Sequence, residues 1–366
     1  MKGLSVMKIV LLDEVKTILC NPISKHNYFG WPTVARLKNG KITVAASGYR
    51  LGHVCPFGKA VMMLSEDNGN SYTNAFPIID TVLDDRDAGL CPFGDSGLVL
   101  TSFNNTRQFQ RDSAQDEPEG IKNYICSYLD TVSDEEEEAV LGSTFKISFD
   151  NGLTFGDLHI SPISSPHGPT VLQDGSILWM GYSFITDDSK AGKEDYLAAY
   201  RINTDGTMEF VGKMDDAYDN GVRMYANEPH AIQLPDGKIV CHFRTEQNFT
   251  TWQTVSEDGG KTWSKAEKLL PDNGGAPAHL MLHSSGVLIS CYGFRQAPYG
   301  IKAMFSADGG KTWDTDHWLY KNHISDDLGY PSTIELDDGS LLTVFYAKEK
   351  EDGPCVIMQQ KWKIEQ

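Results

Sequence analysis

Residues Asn227 to Trp263 read NEPHAIQLPDGKIVCHFRTEQNFTTWQTVSEDGGKTW, and they set out one complete structural repeat. An apolar run, Ala231 to Leu234, enters the turn Pro235-Asp236-Gly237, and a β-branched run, Ile239 to Phe243, leaves it. A polar loop, a third run from Thr251 to Val255 and a second tight turn, Ser256 to Trp263, complete the unit. Short strands separated by Gly-bearing turns make an antiparallel meander.

The second turn recurs as Ser65-x-Asp67-x-Gly69-x-Ser71-Tyr72, Ser148-x-Asp150-x-Gly152-x-Thr154-Phe155 and Ser306-x-Asp308-x-Gly310-x-Thr312-Trp313. In this turn, the Asp-box, the carboxylate accepts local N–H bonds, Gly supplies φ > 0 and the aromatic ring packs under the sheet. A carboxylate saturated by local donors has no capacity left for a substrate, so these aspartates are structural. The first turn recurs in PTVARLKNGKI from Pro32, GLCPFGDSGLV from Gly89, PTVLQDGSI from Pro169, HLMLHSSGVL from His279 and PSTIELDDGSL from Pro331, which makes six repeats in all. Units of roughly 40–60 residues, each of about four strands, predict an all-β, six-bladed β-propeller, because no blade can bury its faces alone.

Six repeats fill the 366 residues, so one domain spanning 1–366 is expected. Blade 1 runs from Trp31 to Tyr72, blade 2 from Arg86 to Phe155, blade 3 from His167 to Val211, blade 4 from Glu228 to Trp263, blade 5 from His279 to Trp313, and blade 6 from Tyr330 onward. Strands Lys8 to Leu12 and Cys355 to Ile364 should pair and close the ring. Helix should be nearly absent. The stretch Thr106 to Ala139 reads as a long loop over one face, a partial lid or a homo-oligomer contact.

A net charge of -18 excludes nucleic acid and anionic membranes as partners, since no basic patch is present to meet them. Asp13 and Glu14 interrupt the apolar N-terminal stretch, and no small-residue cleavage site follows, which argues against a signal peptide. Seven cysteines without regular spacing, several inside apolar strands, read as reduced thiols. The expected compartment is the cytoplasm.

Strand parity locates the working face. In a meander the Asp-Gly turn and the Asp-box share one face, so the residues before each first strand, and the ends of each second strand, converge on the other. That ring contains Gly30 and Trp31, Asp85, Arg86 and Asp87, His167, Glu228 and His230, His279, and Tyr330, with Arg50, Arg244 and Arg295 from second strands and His53 in the loop beyond Arg50. Ionisable groups in such a ring are unfavourable unless something polar binds there. The histidines are far apart in sequence and no carboxylate accompanies them locally, so neither a metal nor a cofactor is expected.

Asp-boxes, six blades and this ring together resemble the sialidase superfamily over the whole chain. The resemblance implies that Tyr330, in Asp327-Leu328-Gly329-Tyr330-Pro331-Ser332, is a nucleophile with Glu228 as its base, and that Arg244 and Arg295 bind an anionic group. A neutral nucleophile suits an anomeric carbon bearing a carboxylate, and sialidases with a Tyr nucleophile stand apart from other glycosidases in this way. The chain also departs from the pattern. Where the family has Arg-Ile-Pro, this chain has Gly30-Trp31-Pro32; the Glu that supports that arginine is Tyr346; and no acid/base Asp stands in Gly48 to His53. Asp85 and Asp87 either supply the missing acid or form an ion-pair network with Arg86.

The expected function is that of an exo-acting, retaining glycoside hydrolase on an acidic or polar glycan. Tyr330, Glu228, Asp87 and Asp85 are its catalytic candidates. Trp31 would stack on a sugar face, and Arg244, Arg295, Arg50, Arg86, His53, His167, His230 and His279 would bind the carbohydrate. Two alternatives use the same funnel: a polysaccharide lyase employing a His/Tyr pair, and a glycan-binding propeller without turnover.

Overall fold

The computed structural model describes residues 7–184, 196–271 and 277–365. The alternation of apolar runs and tight turns becomes six antiparallel blades, with a two-stranded hairpin, Ala217–Asp219 and Val222–Met224, between the third and fourth. Blade 1 comprises Tyr28–Arg36, Ile42–Arg50, Lys59–Ser65 and Phe76–Ile79; blade 2, Arg86–Phe93, Gly97–Phe103, Ser143–Ser148 and His159–Ser161. In blade 3 two short strands, Ile163–Ser164 and Thr170–Val171, both pair with Ile177–Ser183, and Leu197–Ile202 and Met208–Lys213 follow. Blade 4 comprises Ala226–Gln233, Ile239–Thr245, Thr251–Ser256 and Glu267–Lys268; blade 5, His279–Leu282, Leu288–Phe294, Gly300–Ser306 and Asp314–Lys321. Blade 6 joins Gly329–Glu335, Leu341–Lys348 and Cys355–Glu365 to Lys8–Leu11, which pairs antiparallel with the last of these as expected.

Expected blade ends at Tyr72, Phe155, Trp263 and Trp313 fall one strand short, because each Asp-box leads into a fourth, outer strand. The expectation of almost no helix also needs correction. The Thr106–Ala139 stretch holds three helices, α1 (Arg107–Ser113), α2 (Glu119–Leu129) and α3 (Asp134–Val140). Thr106 caps α1, and Ser133 with Glu136 forms a capping box on α3, satisfying N–H groups that have no partner inside the helix. Ala114, Ile125 and Leu129 pack against Leu51 and Phe57, so the insertion rests on the loop that carries His53.

Apolar clusters lie between the blades. Val34, Val44 and Met63 meet Leu342, Val344 and Ile357; Ala45 and Met62 meet Leu90 and Leu98; Val99 and Phe145 meet Ile177 and Trp179. Leu178 and Ala199 meet Ile239 and Cys241, Val240 meets Leu288, and Ile289 and Phe305 meet Phe345 and Trp362. Each blade therefore buries both faces against neighbours. All seven cysteines are free, and no helix among the described residues is long and apolar enough to cross a membrane.

The Asp-boxes are closed hydrogen-bond units. Asp150 accepts from the Thr154 amide at 2.9 Å and hydroxyl at 2.6 Å, while Ser148 Oγ accepts from the Gly152 amide at 2.9 Å. Asp67, Asp258 and Asp308 repeat this geometry. Buried glutamines tie two of these turns to the preceding blade: Gln359 Nε2 donates to Gly69 O at 2.8 Å, and Gln253 Nε2 to Gly310 O at 2.9 Å.

The donors from Thr154 and from Thr262 hold Asp150 and Asp258 down at about 2. A carboxylate whose folded pKa lies below its unfolded value of about 4 stabilises above that pH and loses its contribution as pH falls through the folded value. Asp150→Asn and Asp258→Asn should therefore lower the melting temperature at neutral pH and flatten its fall between about pH 4 and pH 2. A variant that keeps the wild-type slope in that window would contradict the assignment.

Candidate functional site

Four innermost strands share one backbone irregularity at the funnel end. Pairing advances from Gly30↔Ser47 to Thr33↔Ala45, from Arg86↔Phe103 to Gly89↔Thr101, from Asn227↔Arg244 to His230↔His242, and from Gly329↔Tyr346 to Ser332↔Val344. Each step takes three residues on one strand against two on the other, which is a bulge. The bulged residues Trp31, Asp87, Glu228 and Tyr330 have φ of 53°, 50°, 49° and 49°. Non-glycine residues are uncommon in this left-handed region, and strain of this kind clusters where a side chain must be aimed. Proline follows at positions 32, 229 and 331, where a bulge needs no ladder donor.

Two of these side chains meet. Tyr330 Oη donates to Glu228 Oε1 at 2.6 Å, and Arg244 Nε donates to Glu228 Oε2. Burial alone would raise the Glu228 carboxyl, but the charge of Arg244 and the bonds from Arg244 and Tyr330 bring it below its ordinary value. Burial, then Glu228 and Asp87, push the Tyr330 hydroxyl well up, so it stays protonated. The Arg295 guanidinium lies 5.7 Å from the Tyr330 ring centre; its Nε donates to Leu328 O at 2.9 Å and its Nη2 to Tyr346 Oη at 2.8 Å.

Asp87 is a third group at the same centre. Its carboxylate takes no hydrogen bond among the described residues, and burial followed by the charge of Glu228 pushes it up to about 7 against Arg86, Arg50 and Arg244. Arg86 Nε and Arg244 Nη1 are buried donors without partners among the described residues.

Other sequence candidates have different places. Asp85 accepts from the Thr81 amide at 2.6 Å and hydroxyl at 3.0 Å, so its carboxylate closes a local turn instead of entering the funnel. Arg50 is fully buried against Asp84, with contacts of 2.6 and 2.8 Å, and also donates to Ser47 Oγ and the His53 carbonyl. It is a structural pair, and a Cβ at Gly58 would strike Arg50 Nη1 at 2.2 Å. Trp31 offers no face to a sugar: it is 2% exposed, with the Arg86 and Arg50 guanidiniums 4.5 and 4.9 Å from its ring centre. His53 has both ring nitrogens engaged, by Arg86 and Tyr28.

His167, His230 and His279 form a buried cluster with ring centres 4.4 to 5.8 Å apart. The amides of Leu280 and Thr333 donate to Nδ1 of His230 and His279, which places the proton of each neutral ring on Nε2. Both Nε2 atoms are then donors. Among the described residues no group of three or more His, Cys, Asp or Glu side chains could hold a metal ion. Tyr28 and Asp327 were not anticipated, because their contact arises only when the ring closes, and Asp84 was not, because its buried pairing with Arg50 of the preceding blade has no local sequence mark.

A six-bladed propeller with Asp-box turns defines a class by its repeat. The BNR repeat-like domain matches residues 133–343, more than half the chain, and the chain belongs to that family. A structure of unknown function from Dyadobacter fermentans has 21% identity and a TM-score of 0.76, covering 98% of this chain and 100% of its own. NanB sialidase from Streptococcus pneumoniae has 13% identity and a TM-score of 0.68 over 97% of this chain and 71% of its own. An α-L-arabinofuranosidase from Fusarium graminearum has 11% identity and a TM-score of 0.60 over 96% and 97%. No curated protein matches. The fold is the one these structures share.

Asp87 gives a testable sign. Its folded pKa lies above its unfolded value, so its contribution is complete below about pH 4 and is lost as pH rises through about 7. Asp87→Asn should therefore gain stability relative to the wild type between pH 5 and pH 8, by at most about 3 kcal/mol. Equal urea-unfolding differences at the two pH values would show that Asp87 is not held protonated.

Proposed function

We propose that the protein is an exo-acting glycoside hydrolase that retains anomeric configuration, with Tyr330 as nucleophile, Glu228 as its base and Asp87 as acid/base. The observation that carries this reading is the 2.6 Å contact of Tyr330 Oη with Glu228, itself held by Arg244, beside an unbonded Asp87 with a raised pKa. Tyr330 Oη attacks the anomeric carbon as its proton passes to Glu228, and Asp87 gives its proton to the departing glycosidic oxygen. In the second half water attacks that carbon, Asp87 takes its proton, and Tyr330 leaves as Glu228 returns the first proton.

The substrate class follows from the donors. Arg244 Nη1 and Arg86 Nε have unused N–H groups, and Arg295 lies beside the Tyr330 ring, so the funnel suits an acidic or strongly polar glycan. Similar folds include a named sialidase and a named arabinofuranosidase, which supports the reaction class. A lyase would need a free imidazole beside Tyr330. His53 is engaged at both nitrogens and His230 and His279 accept backbone amides, which leaves His167, with Nε2 unpartnered among the described residues and its ring centre 6.4 Å from that of Tyr330, as the imidazole that alternative would use.

A panel of aryl glycosides of sialic acid, glucuronic acid and arabinofuranose tests the reading. On the one turned over, Tyr330→Phe and Glu228→Gln should each lower kcat by roughly three powers of ten, and the double variant should be scarcely worse, because the pair acts as a unit. The pH profile should have its alkaline limb near pH 7, from Asp87, and its acid limb below the ordinary carboxylate range, from Glu228. A Tyr330→Phe enzyme of near-normal rate would remove the mechanism.

A further inference from the structure

Arg86 of blade 2, His53 and Tyr28 of blade 1, and Asp327 before blade 6 form one hydrogen-bond chain, and its protons can be ordered in only one way. Arg86 Nη2 lies 3.2 Å from His53 Nε2. Arginine is an obligate donor, so Nε2 is the acceptor and the neutral ring carries its proton on Nδ1. That Nδ1 lies 3.3 Å from Tyr28 Oη. Tyr28 Oη therefore accepts there and donates its own proton to the Asp327 carboxylate, at 3.1 and 3.3 Å. A fixed cation heads the chain and a carboxylate ends it, so each bond polarises the next.

Groups around the chain keep it in that state. The enclosing funnel wall and the guanidiniums of Arg86, Arg50 and Arg295 lower the basicity of His53, so the ring stays neutral. Burial, with Cys355, Tyr346 and Asp327, raises the Tyr28 hydroxyl well above its usual value. Arg86 is held separately by donating Nη1 to the His53 carbonyl at 3.1 Å.

The far end of the chain lies on the segment that delivers Tyr330. The Asp327 carbonyl accepts from Cys355 Sγ at 3.3 Å, and the next carbonyl, of Leu328, accepts from Arg295 Nε at 2.9 Å. The segment between Asp327 and Tyr330 is thus clamped on both sides immediately before a residue in a left-handed conformation. We infer that the Arg86–His53–Tyr28–Asp327 chain positions Tyr330, fixing its approach so that its hydroxyl stays on Glu228 and tying that geometry to the cation at the other side of the funnel. None of the four residues in the chain takes a proton in the reaction. Tyr28, His53 and Asp327 act through Tyr330. The inference rests on the reading of Tyr330 as the reacting hydroxyl.

Two measurements on the full-length protein test it. Long-range 1H–15N spectra of histidine-labelled protein at neutral pH, with His53 assigned by His53→Ala, should show a neutral ring protonated on Nδ1. A ring protonated on Nε2, or on both nitrogens, overturns the chain. Tyr28→Phe keeps the ring and deletes the hydroxyl. On an aryl glycoside that is turned over, it should lower kcat roughly 10–100-fold with KM nearly unchanged, as expected for misplacement of a reacting group. Adding Asp327→Asn should cost about twofold more at most, because the two residues belong to one chain. Wild-type kcat in Tyr28→Phe, or effects that multiply, would overturn the positioning role. If no aryl glycoside is turned over, the hydrolase reading fails by itself. A crystal structure of Tyr28→Phe then decides this inference: loss of the Tyr330–Glu228 hydrogen bond supports it, and an unchanged contact overturns it.

Discussion

In four of the six blades the innermost strand advances three residues while its neighbour advances two, and the extra residue takes φ between 49° and 53°. Regular pairing would alternate successive side chains between blade faces and leave the axis lined by apolar or small groups. The bulge turns one chosen side chain per blade out of that alternation and into the funnel. Holding a bulky residue there costs about 1–3 kcal/mol per site, which persists only where surrounding contacts over-determine it. Here they do: Glu228 is held by Arg244 and Tyr330, and two guanidiniums lie over the Trp31 ring, 4.5 and 4.9 Å from its centre.

The blade 1 position is filled by aromatic side chains. Trp31 fills the bulge, and the Tyr346 hydroxyl accepts from Arg295. The Trp31 and Tyr346 rings lie 5.9 Å apart there. From blade 2, the Arg86 guanidinium lies over the Trp31 ring and keeps its Nε free of partners among the described residues. The buried Arg50–Asp84 pair lies behind it. Breaking such a pair by removing one partner costs about 3–5 kcal/mol, which makes Arg50 part of the framework.

The fold was legible because its determinants are local. A Ser, an Asp and a Gly within five residues make an Asp-box without help from the rest of the chain, and strand parity then assigns the two faces. The ring of residues before each first strand was legible for the same reason. Orientation within the ring was not. Asp85 and Asp87 are two residues apart, yet one closes a turn with Thr81 and the other sits on a left-handed bulge. Arg50 and Arg244 end equivalent strands, and only the position of Asp84 separates their roles. Pro32, Pro229 and Pro331 did mark the bulges, since proline inside a strand is confined to such places. The Ser133–Glu136 capping box likewise marked a helix in what reads by composition as an acidic loop. Contacts between Tyr28 and Asp327 join distant parts of the sequence and arise only when the ring closes.

The account turns on Tyr330 forming a covalent bond to the sugar. Rapid denaturing quench during turnover of an aryl glycoside, followed by digestion and peptide mass spectrometry, tests this directly. The account predicts that the peptide containing Tyr330 gains the mass of one glycosyl residue and that fragmentation places it on the phenolic oxygen. An adduct on any other residue, or turnover with no adduct and an inverted anomeric product, would contradict it.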